Sequence, residues 1–197
     1  MMPRKILLLM SLIFIFSVGT AAAADKTYEV PNGNCTVSLP ENYVVTTVDR
    51  KADPNDELGI SLTQLSVNDP ADKTLTMHIM VESNKLTKEL PSLDYKPGEV
   101  MKNYFTETLQ DSGWQEPTVT GELPNGKMYF IKFGTYIADS AGQKYDGVIY
   151  ATTKDGSLLY LMLMSKERAL TPAEKAFLET TVQKLQFNEP AAIVSAQ

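Results

Sequence analysis

The stretch that decides the fold is Leu158-Leu-Tyr-Leu-Met-Leu-Met164, a run of hydrophobic residues in which no polar residue alternates with the apolar ones. A strand with one solvated face alternates apolar and polar side chains, whereas a short unbroken apolar run is typical of a strand covered on both faces. The turn sequence Lys154-Asp155-Gly156 precedes the run, and the helix-start sequence Thr171-Pro172-Ala173-Glu174 follows it. The run therefore predicts the central strand of a sheet that lies between two layers.

Other β-rich runs predict the strands around it. Met128–Ile137 and Tyr145–Thr152 precede the central run, and their short connections require antiparallel neighbours. Nearer the N-terminus, Asn32-Gly33 predicts a hairpin, because both residues tolerate positive φ angles. Further strands are predicted at Tyr43–Val48, at the alternating apolar positions Leu58, Ile60 and Leu62, and at the alternating positions Leu75, Met77, Ile79 and Val81.

Two amphipathic helices are predicted from apolar spacing and from their end signals. The first has Pro97 in its first turn and ends at Gly113, where Trp114 folds back on Leu109 as a capping contact. Its expected apolar stripe is Val100, Met101, Tyr104, Phe105, Thr108 and Leu109. The second helix runs from Thr171, which forms a capping box with Glu174, to Phe187.

These elements predict an α+β fold. We expect a single-domain α/β/α sandwich over residues 25–187, in which a mostly antiparallel sheet of about six to seven strands carries helices on both faces. Residues 188–197 are interpreted as a flexible tail. Irregular sequence between Ser83 and Lys96 is expected to cross over the core and is a suitable place for a functional loop.

The first 24 residues are interpreted as a signal peptide. Arg4 and Lys5 precede the apolar stretch Ile6–Val18, and Ala22-Ala23-Ala24 supply the small residues of a cleavage site. We therefore expect an extracytoplasmic protein, periplasmic or secreted, without stable membrane insertion after cleavage. The leader holds two basic residues and no acidic one, so its removal takes the formal net charge from −6 to −8. That balance argues against nucleic acid as a partner.

The order of elements resembles the PsbP-like superfamily, which is named for an extrinsic subunit of photosystem II. The resemblance covers roughly residues 28–187 and is carried by four features. These are the opening Cys35-Thr-Val-Ser-Leu-Pro-Glu-Asn-Tyr43, the helix ending at Gly113-Trp114, the meander of three strands, and the closing helix that runs into Leu185-Gln186-Phe187. It implies an α/β/α sandwich with a binding or assembly role, and no functional residue of the family transfers to this chain.

Catalytic and metal signatures are absent from the sequence. The single cysteine, Cys35, is interpreted as a small buried apolar residue, and the single histidine, His78, as a structural or surface residue. No dinucleotide, phosphate-cradling or nucleophile-elbow motif occurs, so we predict neither catalytic residues nor a cofactor. The acidic stretch Asp53-Pro-Asn-Asp-Glu57 offers oxygen ligands but lacks the spacing of a known calcium loop.

Three hypotheses for function follow. The first is a non-enzymatic binding or assembly module of the cell envelope that recognises a protein, a peptide or a small molecule. The second is an envelope hydrolase that uses carboxylates or a pair formed by Cys35 and His78. The third is a calcium-stabilised envelope protein, with Asp53–Glu57 as its ligand loop.

Overall fold

A computed structural model of the chain describes residues 24–53, 55–126, 128–138, 142–166 and 168–188. The predicted signal peptide and the predicted tail lie outside these ranges, apart from the boundary residues Ala24 and Asn188. Within the described ranges, none of the helices has the length and apolar character needed to cross a membrane.

Ten strands and two α-helices follow one another along the described chain. The strands are β1 (Asp25–Val30), β2 (Cys35–Pro40), β3 (Val44–Arg50), β4 (Ser61–Asn68), β5 (Leu75–Ser83), β6 (Gln115–Asn125), β7 (Met128–Ala138), β8 (Lys144–Lys154), β9 (Ser157–Ser165) and β10 (Gln186–Phe187). The helices are α1 (Glu99–Asp111) and α2 (Pro172–Gln183), and a short 3-10 turn occupies Thr87–Glu89.

The strands form two antiparallel sheets. The main sheet has seven strands in the order β3-β4-β5-β9-β8-β7-β6, and the small sheet has three in the order β1-β2-β10. The strand β9 is the fourth of seven, so the apolar run is the central strand that the sequence predicts. The meander β7-β8-β9 is antiparallel throughout, which confirms the inference from its short connections.

Both faces of β9 are covered. Six consecutive residues, Leu158 to Leu163, are at most 5% exposed. Leu161 pairs with Ile79 and Tyr150, and these three side chains share what we call the Leu161 face. Met162 pairs with His78 and belongs to the opposite face, called here the His78 face. Burial of each aliphatic side chain of this run stabilises the folded state by roughly 1.5–3 kcal/mol.

Different elements contact the two faces. On the Leu161 face, Asn32 in the β1–β2 hairpin donates a hydrogen bond to Thr63 at 2.7 Å, and Glu179 of α2 accepts one from the Tyr150 hydroxyl at 2.9 Å. On the His78 face, the ring of Phe105 in α1 meets Tyr160 edge-on, with ring centroids 5.9 Å apart. The small sheet is therefore part of the covering layer, which the sequence analysis did not predict.

Both helices differ from prediction at one end. The helix α2 ends at Gln183 rather than at Phe187, because Gln186 and Phe187 pair with Thr36 and Cys35 as β10. The helix α1 begins at Glu99, so Pro97 precedes it, and Val100 is 82% exposed rather than part of the apolar stripe.

The predicted helix caps are confirmed. Thr171 and Glu174 form a capping box in which the Glu174 carboxylate accepts from the Thr171 amide at 2.7 Å. The Trp114 amide bonds the Leu109 carbonyl at 3.0 Å after Gly113, whose φ is 91°. Trp114 is buried at 8% exposure, as a capping and core residue should be.

Two strands were misjudged or missed. In β4 the buried residues are Thr63, Leu65 and Val67, whereas Leu58 lies before the strand and is exposed. A shift of one residue exchanges the two faces of a strand, so the expected buried set Leu58, Ile60 and Leu62 was wrong. The strand β6 was not predicted, because Pro117, Gly121 and Pro124 interrupt its pattern.

Gly147 tests the packing of Trp114 against β8. A Cβ atom built on Gly147 would lie 2.9 Å from Trp114 Cζ3, inside the contact distance that carbon atoms tolerate. We expect Gly147→Ala to lower the free energy of unfolding by about 1–3 kcal/mol in a denaturant melt, as overpacking does. Gly121→Ala is the matched control in a strand, since no atom lies within 4 Å of its added Cβ. Equal melting midpoints for the two variants would contradict the close packing.

Candidate functional site: an open sheet edge and its neighbouring face

Three of the four sheet edges are protected against further pairing. The edge strand β6 contains Pro117 and Pro124, and two register irregularities interrupt its pairing with β7. The edge strand β1 carries the charged residues Asp25, Lys26 and Glu29, and β10 is two residues long. Prolines, bulges, charges and shortness are the devices by which proteins prevent strand addition.

The fourth edge, β3, has none of these devices along its first five residues. Its sequence Val-Val-Thr-Thr-Val-Asp-Arg pairs with β4 over seven consecutive residues without a bulge or a proline. The main chain of β3 makes backbone hydrogen bonds to β4 and to no other element of the described residues. Half of its N–H and C=O groups therefore point away from the sheet.

An open part of the His78 face adjoins this edge. It consists of nine residues of β3, β4 and β5 on this face, which are Val44, Thr46, Val48, Gln64, Ser66, Asn68, Thr76, His78 and Met80. The β4 and β5 members are half-buried, whereas Val44 and Val48 are 53% and 60% exposed. No member of this patch is acidic, and none is lysine or arginine, whereas the next row of the same face consists of Arg50, Leu62 and Glu82.

A small hydrogen-bond network fixes His78 in this patch. Its Nδ1 lies 3.0 Å from Gln64 Nε2 and 3.1 Å from Ser66 Oγ, and Gln64 Nε2 also donates to Ser66 Oγ at 2.9 Å. Because the Gln64 amide nitrogen is a donor, Nδ1 accepts and the ring proton sits on Nε2. Burial lowers the pKa of His78, and Lys166 lowers it further, so the ring is neutral at pH 7.

This network differs from a Ser-His-Asp triad. Ser66 meets His78 as its direct cross-strand neighbour, and an amide rather than a carboxylate orients the ring. The patch lies on a sheet face, where the half-buried side chains of Ser66 and His78 adjoin the exposed residues of β3. The arrangement supports surface recognition more than nucleophilic catalysis.

Cys35 and His78 are not brought together. The β1–β2 hairpin that carries Cys35 packs on the Leu161 face, where a Cβ on Gly33 would touch Val81 at 3.0 Å. His78 points to the opposite face, so the main sheet separates the two side chains. Cys35 is 2% exposed, and burial raises the pKa of its thiol to about 12. The thiol version of the hydrolase hypothesis therefore has no geometric basis.

Three of the described carboxylates are held in ion pairs. Asp72 and Glu174 both bind Arg168, at 2.8 and 2.6 Å, and Glu122 binds Lys102 at 2.9 Å. The Arg168 guanidinium lowers the pKa of Glu174 to about 2. The ion pairs of Arg168 tie the turn before β5 to the start of α2.

One carboxylate of the predicted ligand loop, Asp56, is held by the backbone that follows the loop. One Asp56 oxygen accepts from the Leu58 amide at 3.0 Å, and the other accepts from the Ile60 amide at 2.9 Å. These bonds lower the pKa of Asp56. Across the described ranges, the His, Cys, Asp and Glu side chains form no group of three that could hold a metal ion.

A cavity of about 440 Å³ lies elsewhere, beside the β1–β2 hairpin. Its lining includes Asn32, Asn34, Lys154, Asp155 and Asn188. Lys154 is paired with Asp155 at 3.2 Å, and its ammonium lies 5.9 Å from the centroid of the Phe187 ring. The only cation among the described residues of this lining, Lys154, is therefore held by Asp155 and lies near the Phe187 ring.

Sequence reasoning missed both Gln64 and Ser66 as partners of His78. Their alternation was visible, but the register between β4 and β5 is needed to set Ser66 opposite His78. The open β3 edge was missed for a similar reason, because strand order decides which strand is left at an edge.

The lowered pKa of His78 predicts a pH dependence of stability. The unfolded chain has the higher histidine pKa, near 6.5, so it binds the proton first as the pH falls. The free energy of unfolding should therefore decline below about pH 6.5 and level off below the folded pKa, before carboxylates such as Glu174 protonate. Urea melts between pH 7.5 and 5 measure this decline, and His78→Gln should remove it. An unchanged slope in His78→Gln would assign the decline to other groups.

Cys35 should be inert in the folded protein. Because the thiol is buried and its pKa is raised, we expect no labelling by a thiol reagent at pH 8 under native conditions. The same reagent should modify one thiol per chain in concentrated denaturant, which serves as the internal control. Rapid labelling of the native protein would contradict the placement of β2.

Comparisons with known proteins bear on the fold alone. The sequence matches no family model and no curated protein. The solution structure of cyanobacterial PsbP from Synechocystis is similar, with a TM-score of 0.53, 12% identity, and coverage of 86% of this chain and 95% of that one. The structure of the immunity protein TplEi of the T6SS of Pseudomonas aeruginosa, solved in complex with a peptide, is also similar. Its TM-score is 0.50 and its identity 12%, with coverage of 85% of this chain and 99% of that one. The chain has a PsbP-like fold, as the order of its elements indicated.

Proposed function

We propose that the chain is an exported, non-enzymatic binding or assembly module of the cell envelope, and that its partner is a protein or a peptide. The observation that carries the proposal is the open edge of β3 with the uncharged patch beside it. A sheet edge offers main-chain donors and acceptors that a polypeptide satisfies better than a small molecule does.

The layering of the fold supports a rigid platform for this surface. Phe105 of α1 contacts Tyr160, whereas Glu179 of α2 contacts Tyr150. Tyr150 pairs with Leu161, the neighbour of Tyr160 in β9, so the two tyrosines belong to opposite faces. We infer from these contacts that the helices cover opposite faces over the middle of the sheet and leave β3 free.

Two further observations are compatible with the proposal. The first 24 residues have the charge and apolar pattern of a signal peptide, which supports the proposed extracytoplasmic location. The fold-level neighbour TplEi was solved with a bound peptide, so this architecture is compatible with peptide recognition.

Site-specific crosslinking in the native envelope tests the proposal. A photo-crosslinking amino acid replaces Val48 in the full chain, and the matched control carries the same amino acid at Val100, an exposed valine of α1. We expect a discrete adduct from position 48 and none from position 100, with both proteins recovered outside the cytoplasm. Adducts of equal yield and pattern from both positions, or none from position 48, would overturn the proposed site, and retention in the cytoplasm would overturn the export.

A further inference from the structure

We propose that the β3 edge accepts an extended polypeptide segment as an eighth strand of the main sheet, and that this segment has an uncharged, β-branched centre flanked by basic residues. This inference rests on the proposed function and specifies the chemistry of its partner.

The main chain of β3 sets the shape of the occupant. Its outward N–H and C=O groups find no partner in the described part of the chain, over a straight run of seven residues. Such a row is satisfied by another extended chain, because only a strand repeats its donors and acceptors at the same spacing. A helix or a small molecule would leave most of these groups to water.

The side chains of β3 set the centre of the occupant. Val44, Thr46 and Val48 lie on the His78 face, and Val45 and Thr47 lie on the Leu161 face. All five are uncharged and β-branched. Neighbouring strands stabilise each other through β-branched and aromatic pairs on the same face, so an uncharged, β-branched strand is the complementary partner.

The ends of β3 set the charge of the flanks. The stretch from Asp49 to Glu57 holds four acidic and two basic residues. The turn at the other end, Asp69 to Lys73, holds two acidic residues and one basic residue, and Asp72 is paired with Arg168. Arg168 also binds Glu174, so three acidic and two basic residues meet at this end. Both ends of the edge are therefore acidic on balance, which favours a segment with lysine or arginine on either side of its centre.

The same charges disfavour a second copy of this chain. An antiparallel pair of β3 strands would set the Asp69 turn of each copy beside the Asp53–Glu57 stretch of the other. A parallel pair would set each acidic turn beside its own counterpart. Like-charged groups brought together across an interface oppose association, and the net charge of −8 after removal of the leader adds to this repulsion.

A peptide probe tests strand addition directly. The probe is the synthetic peptide Lys-Lys-Thr-Val-Thr-Val-Thr-Lys-Lys, and the exported protein with its natural C-terminus is followed by residue-resolved amide hydrogen exchange. We expect the probe to slow exchange of alternate amides in β3 and to leave β6 unchanged. The same peptide with glutamates in place of the lysines should bind at least about tenfold more weakly. Val48→Lys should abolish the β3 protection, whereas Val100→Lys should retain it.

Four results would overturn the inference. The first is unaltered β3 exchange with both peptides, and the second is equal protection of β3 and β6. The third is β3 protection that grows with protein concentration alone. The fourth is β3 protection in the free protein that is lost when residues 189–197 are removed. The third result would assign the edge to a second copy, and the fourth to the chain's own C-terminal segment. A crosslinked envelope partner at position 48 without strand addition would leave the proposed function standing and reject this mode of binding.

Discussion

The fold depends on the burial of one strand from both sides. All six residues from Leu158 to Leu163 are buried. Their burial requires a paired strand on each edge of β9 and other residues packed against each of its faces. The other layers follow from that demand, since the small sheet and α2 contact the Leu161 face and α1 contacts Tyr160. Removing any of these layers would expose apolar side chains worth roughly 1.5–3 kcal/mol each.

The central position of β9 also explains why the proposed binding surface lies at one edge of the main sheet. Three strands stand on each side of β9, and α1 contacts β6 on one side. The far side, β3 to β5, keeps a half-open face on which His78, Gln64 and Ser66 bond one another. Such a surface suits recognition, because its polar groups are ordered and its main chain is available for pairing.

Much of the fold was predictable from local signals. The run Leu158–Met164, the capping box of Thr171 and the Gly113-Trp114 cap each encode their structure within a few residues, and all three are confirmed. Three features were not predictable in this way. The register of β4, the pairing of Phe187 with Cys35 and the position of β3 at an edge depend on contacts between residues far apart in sequence. The candidate site belongs to this second group, which is why no motif pointed to it.

Residue-resolved hydrogen exchange of the free protein tests the closed centre and the open edge together. We expect amides of β9 to exchange only through global unfolding, with opening free energies equal to the free energy of unfolding of the whole domain. Alternate amides of β3 should exchange at rates close to those of an unstructured peptide. Fast, sub-global exchange in β9, or uniform protection along β3 in the free monomer, would contradict this account.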